Sequence, residues 1–233
     1  MRLRILSALL VSTTILGATG LASGASSTTT AYTQMEKVIA DANFEPSVHV
    51  VTSLTATGAR LVTRTNAGQN GGLQTVTLTE AGKSNSVAIE LLGGVLYVKG
   101  DDTILTTYLD LSKANANKLA NRWFTIPTGS AEYAEVGQGL TISSVMDQIT
   151  MTKSVAVLPP VTLSGQRVDV LKGRTVKTAL DPSISAMLYF SRVVVPLPVE
   201  VTGTLSGSEA TILFSHWGER IDLVAPKATL QLT

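Results

Sequence analysis

The chain of 233 residues contains no cysteine. Disulfides, thiol catalysis and cysteine-held metals are thereby excluded. Histidine occurs twice, as His49 and His216, so any imidazole base or metal ligand has to come from that pair. Aromatic residues make up 5% and charged residues 15% of the chain, which leaves few flat platforms for bases or sugars. Lys and Arg total 18 against 17 Asp and Glu, a formal charge of +1. With no excess of basic residues to neutralise phosphates, nucleic acid is excluded as a partner. No apolar run reaches the roughly 20 residues that a membrane-spanning helix needs.

The apolar run from Ile5 to Leu16 follows Arg2 and Arg4 and leads to small residues from Ala22 to Ala25. This is the layout of a secretory signal, so residues 1–25 are expected to be removed and residues 26–233 to form one extracytoplasmic domain. Loss of two arginines and no acid takes the formal charge from +1 to −1, and the mild basic excess disappears. A remaining length of about 208 residues is enough to fold around its own core without crosslinks.

What the chain does have is aliphatic patterning. Ser26 to Thr30 reads as a polar leader in which Thr29 or Thr30 caps a helix carrying Tyr32, Met35, Val38 and Ile39. From Ser47 the period becomes two. Val48, Val50, Thr52 and Leu54 alternate with His49, Val51, Ser53 and Thr55, and a weaker alternation runs through the 60s to Asn66. A turn is expected from Asn66 to Gly72 and another from Lys83 to Asn85, with strands around Val76 and Ile89 between and after them. Short strands joined by tight turns predict an antiparallel meander. Further on, strands are expected at Lys153–Leu158, Gln166–Leu171, Arg174–Leu180, Met187–Phe190, Leu197–Leu205, Glu209–Ser215 and Ile221–Val224. Pro159, Pro160, Pro196 and Pro198 belong at strand starts or edges, where a missing amide is tolerated.

Between the two groups of strands lies the most informative stretch, Gly93 to Met151. Tyr97 and Val98 end a strand at Gly100. Ile104, Leu105 and Tyr108 then share a helix face, and Ile142, Val145, Met146 and Ile149 fall at i, i+3, i+4 and i+7. Asp101 and Asp102, ahead of Ile104, suit a helix N-terminus and its dipole rather than a metal. Greasy helices thus stand beside strands with no catalytic group among them. No Gly-x-Ser-x-Gly elbow, His-Glu-x-x-His helix, calcium loop or phosphate loop occurs. No cofactor is expected.

The Tyr97-Val-Lys-Gly-Asp101 turn, Arg122-Trp123 after a small Ala/Asn helix, and the Gly139-Leu-Thr helix start form a recognisable order. It continues in Val161-Thr-Leu-Ser-Gly165, in Val195-Pro-Leu-Pro198, and in Trp217-Gly followed by Ile221-Asp-Leu-Val-Ala-Pro226. Together these resemble the actinobacterial LolA-like lipoprotein superfamily, the lipid carriers of the LppX, LprG and LprA type. The resemblance implies an α+β fold: a half-open antiparallel β-barrel, or strongly curved sheet, whose concave face is covered by helices and holds lipid acyl chains. The family's lipoproteins carry an acylated cysteine after a Leu-Ala-Ser type motif. Here Leu21-Ala22-Ser23 is followed by Gly24, which has no thiol, so a secreted cell-envelope protein without a lipid anchor is expected.

On this reading the chain is a non-enzymatic carrier of lipid or glycolipid acyl chains that touches membranes transiently. The expected apolar lining is Ile104, Leu105, Tyr108, Leu109, Leu140, Ile142, Val145, Met146 and Ile149, with headgroups meeting Lys99, Asp101 or Arg122. The same stripes would equally serve a solid core. An envelope adaptor of the same fold, with a filled interior and a protein partner, is therefore the alternative. A hydrolase would require His49 or His216 within reach of a serine and an acid in a cleft.

Overall fold

The structure, a computed structural model, describes residues 25–176, 183–205, 208–227 and 229–232. The expected signal up to residue 24, and residues 177–180 of the expected strand at Arg174–Leu180, lie outside the described residues. The described residues begin with α1 (Ala25–Phe44). Its face of Ala31, Met35, Val38 and Ala42 is buried. The helix runs straight through Thr29 and Thr30, which therefore do not cap it. Each Thr costs only a few tenths of a kcal/mol in a helix, about 0.5 on most scales, and a docked helix propagates through such residues.

Five strands follow as a meander: β1 (Ser47–Ala56), β2 (Ala59–Gly68), β3 (Gly72–Glu80), β4 (Lys83–Leu92) and β5 (Val95–Gly100). The turns are tighter than the sequence pattern suggests. Ala81 and Gly82, at φ 48° and 77°, form a two-residue loop. Both positive φ values match the twist of the flanking strands, so pairing reaches Glu80↔Lys83 and Lys83 belongs to β4. The expected turn at Asn66–Gly72 likewise shrinks, because the Gly68 amide donates to the Gly71 carbonyl at 2.8 Å.

The middle of the chain supplies α2 (Asp102–Thr107), α3 (Lys113–Leu119), β6 (Phe124–Ile126), α4 (Ala131–Val136) and α5 (Ile142–Ile149). Asp101 caps α2 by accepting the Ile104 amide at 2.8 Å, as its position before the apolar residues predicts. A second meander closes the fold: β7 (Ala156–Leu163), β8 (Gln166–Arg174), β9 (Ser185–Ser191), β10 (Pro198–Leu205) and β11 (Ser208–Ser215). Pro159 and Pro160 lie within β7, at an irregularity between Leu158 and Val161. They are tolerated there because β7 is an edge strand. Arg174 ends β8, and Thr175 makes an isolated bridge to Met151.

Two elements depart from the sequence pattern. Ile221–Val224 is not a strand. Instead the segment after β11 crosses the strand ends. The Gly218 amide donates to the Ser47 carbonyl at 2.9 Å, the Ser47 hydroxyl donates to the Glu219 carbonyl, and Ile221 and Leu223 pass Gly68 and Gly71. A chain crossing strands cannot share a ladder with them, so it stays irregular. It ends in a short strand, β12 (Leu230–Gln231), which pairs with β6 in parallel.

The twelve strands of the described residues form one curved, unclosed sheet in the order β12-β6-β5-β4-β3-β2-β1-β11-β10-β9-β8-β7. The two meanders join where β1 pairs with β11, with Val50 opposite Phe214. The outer strands do not meet, so the sheet is not a closed barrel. Its inward-facing side chains form two cores. One lies under α1 and α5 and includes Val48, Val50, Leu171, Leu188 and Phe190. The other lies under α2 and α3 and includes Val76, Ile89, Leu96, Val98 and Phe124. No described helix is long and apolar enough to cross a membrane.

Candidate functional site

Along β6, Phe124 and Ile126 point inward while Thr125 is half-buried. Beside them the chain leaves α2 at Tyr108 and turns through Asp110, whose φ is 54°. Aspartate is among the few residues that enter this left-handed region readily. The Leu111 amide closes the turn on the Leu105 carbonyl at 3.1 Å. Ser112 then caps α3 by accepting the Asn115 amide at 3.2 Å. On the opposite side Ser130 caps α4 by accepting the Tyr133 amide at 3.1 Å. Tyr133 anchors that helix by donating its hydroxyl hydrogen to the Gly94 carbonyl at 2.7 Å.

These two capped helices and the strand leave a gap between them. It is a cavity of about 590 Å³, walled by Tyr108, Leu109, Leu111, Phe124, Ile126, Val136 and Leu232 on its apolar side. Its polar side comprises Asp110, Ser112, Asn115, Ser130, Glu132 and Glu135. The volume lies within the roughly 300–1,000 Å³ typical of small-molecule sites. The floor belongs to the second core, since Phe124 is fully buried and Tyr108 and Val136 are 5% and 6% exposed. An apolar floor continuous with a core, under a rim of hydroxyls and carboxylates, can hold a hydrocarbon chain with a polar end outward.

The nine residues expected to form one lining are divided by the fold. Tyr108 and Leu109 stand on the cavity wall. Ile104, Leu105 and Leu140 are fully buried in the same core, behind that wall. Ile142, Val145, Met146 and Ile149 belong to the other core, packed with α1 and β8–β10. Lys99, Asp101 and Arg122 are not on the wall; Asp101 is engaged in capping α2. Leu111, Phe124, Ile126, Val136 and Leu232 do line the cavity and were missed. Phe124 and Ile126 alternate around Thr125, a period-two signal too short to stand out. Leu232 reaches the site only because β12 pairs with β6, which no local pattern announces.

The two histidines meet on the other, convex side of the sheet. His49 and His216 make an edge-to-face contact with ring centroids 5.9 Å apart. His49 Nδ1 lies 2.6 Å from Asn66 Oδ1, and His216 Nδ1 lies 2.9 Å from Ser215 Oγ. Among the described hydrogen bonds neither histidine has a carboxylate partner, the element that would orient a general base. Among the described residues no three His, Asp or Glu side chains converge to hold a metal. A groove of about 930 Å³ runs along the strand ends past Gln69, Asn70, Gly93, Gly94 and Ile221. It is bounded mainly by turns and by the crossing segment, and no core residue floors it, so the smaller cavity is the better candidate.

No protein-family model and no curated protein matches the chain. Solved structures share its fold, among them two mycobacterial lipoproteins. The lipoprotein LppX of Mycobacterium tuberculosis superposes with a TM-score of 0.52 at 12% identity, over 83% of this chain and 97% of that one. LprF from Mycobacterium bovis gives a TM-score of 0.54 at 12% identity, over 84% and 97%. At that identity the likeness is one of fold.

Proposed function

We propose that the chain is a secreted cell-envelope carrier of lipid, holding an acyl chain in the cavity between α3, α4 and β6 without chemical reaction. The observation that carries this reading is the apolar floor of Tyr108, Leu109, Phe124, Ile126 and Val136 beneath a polar rim. It is supported by the LppX and LprF fold, which agrees with the sequence resemblance to LolA-like carriers. Burying one methylene is worth about 0.8 kcal/mol, so a sixteen-carbon chain faces on the order of 12 kcal/mol on entering water. A carrier need only offset that cost. Because the chain moves from one apolar environment to another, release at a second membrane remains feasible. The signal layout of residues 1–25 supports a domain outside the cytoplasm, and Gly24, where the family's lipoproteins carry a cysteine, supports an unanchored one.

Native mass spectrometry with solvent extraction, on signal-free protein purified without detergent, tests the proposal. Bound acyl lipid at near-unit occupancy is the expected result. A clean apo mass that persists after incubation with envelope lipids would overturn it.

One observation favours the second reading, a non-enzymatic adaptor with a filled interior. Ile142, Met146 and Ile149 are fully buried and Val145 is 4% exposed, packed solidly against α1 and the second meander. Half of the concave face is therefore core rather than container, and a persistent apo mass would favour this reading.

A further inference from the structure

The loop joining β9 to β10 is tied at its base and apolar at its tip. The Ser191 amide donates to the Leu197 carbonyl at 3.0 Å, and the Leu197 amide donates to Ser191 Oγ at 3.0 Å. Arg192 Nε lies 3.1 Å from Asp169 Oδ1, and Pro196 stiffens the return of the chain. Held out between these anchors, Val193, Val194 and Val195 are 60%, 96% and 45% exposed. Among the described hydrogen bonds none involves these three residues. Single valines scattered on a surface are ordinary, but three in a row on a tethered tip form a patch.

The register of the sheet sets what stands beside this tip. Val168 faces Ser191, so the β7–β8 hairpin projects next to the loop, and its Arg167 is exposed. β1 starts at the same end of the sheet, where Phe44 is 87% exposed. β5 starts there too, and opposite its Leu96 stands Ile126, from which Pro127 and Ser130 continue into the cavity wall. The turns at the opposite end, Thr57–Gly58 and Ala81–Gly82, carry no large exposed apolar residue. Apolar points from separate elements at one end, with Arg167 and Arg192 beside them, suit a bilayer. A narrow tip enters hydrocarbon without needing a matching pocket, while arginine keeps its charge among the headgroups. Resting on the carrier reading above for the choice of partner, we propose that the Val193–Val195 tip, with Phe44 as a second contact, docks this end of the sheet on a lipid bilayer.

The absence of cysteine from the chain gives the test a unique handle. In the signal-free protein, a Val194→Cys variant carries an environment-sensitive fluorophore and is mixed with unilamellar vesicles of phosphatidylcholine and phosphatidylglycerol. Its emission is expected to brighten and shift to the blue. The same label on Thr57→Cys, exposed at the opposite end, should keep its aqueous spectrum. Val194→Asp, which leaves the core untouched, should lower vesicle affinity in flotation by about tenfold or more, the value of one valine side chain leaving water. Its thermal melt, and its lipid occupancy by native mass spectrometry, should match the parent. An unshifted label at 194, equal shifts at both positions, or a Val194→Asp variant that binds like the parent overturns the assignment. So does a dimer that forms without vesicles and that Val194→Asp dissolves, since a second copy would then be the occupant. A cavity empty of lipid in protein whose label still enters vesicles supports the docking loop and overturns the carrier reading alone.

Discussion

Ile104 rests so closely on Gly100 that a β-carbon added to the glycine would stand 2.7 Å from its Cγ2. The last residue of β5 is thus a seat for the first buried residue of α2. Asp101 between them caps the helix, and the Asn121 amide donates to the Gly100 carbonyl at 2.7 Å. Strand end, helix start and the entry to β6 are locked at one point, and Tyr108 and Phe124, which follow from it, both belong to the apolar floor of the cavity.

Gly100→Ala should therefore destabilise the domain by about 1–3 kcal/mol through overpacking. Gly72→Ala should cost at least as much, since its β-carbon would fall 2.3 Å from the Leu140 carbonyl oxygen and backbone cannot rotate away. Urea unfolding of both variants checks the order.

Cavity and core respond differently to substitution. Leu111→Trp, at a half-buried rim position, should fill the cavity and reduce lipid copurification at least tenfold, with a Tm within about 2 °C of the parent. Ile142→Asp should instead unfold the domain, because a buried unpaired carboxylate costs several kcal/mol. Thermal melts alongside lipid extraction separate the two outcomes.

Glu90 is 6% exposed on the convex face, with Oε1 lacking a hydrogen-bond partner. Burial raises its pKa above the ordinary 4.5, and the hydrogen bond from the Val224 amide only partly opposes this. Below 4.5 the carboxyl is protonated in folded and unfolded chains alike, and it imposes no penalty. As pH rises past that value the unfolded chain loses its proton first, so stability falls until the folded pKa is passed. Glu90→Gln should gain on the order of 1 kcal/mol over the parent at pH 8 and show no gain at pH 4. Denaturant melts at the two pH values decide it.

Ser144 accepts two amides at the start of α5, from Gly139 at 3.0 Å and Thr141 at 3.2 Å. Ser144→Ala should cost about 1–2 kcal/mol, while Ser143→Ala, at an exposed neighbour, should be near neutral. Chemical denaturation of the pair measures the cap.

Local patterns determined much of this molecule. Alternation from Val48 to Leu54 marked β1, the i, i+3, i+4, i+7 spacing from Ile142 marked α5, and Asp101 marked a helix start. Each signal is written within a few residues, where the period of burial repeats the period of the backbone. Tertiary structure decided which of these surfaces border a space. Ile104 and Ile142 have equally apolar helical stripes, yet one helps back a cavity and the other fills a core, because the distinction depends on what lies opposite. The same holds for Leu232 and Val224: a segment that crosses strands and then pairs with β6 is held by contacts far apart in the chain, and no local period can encode them.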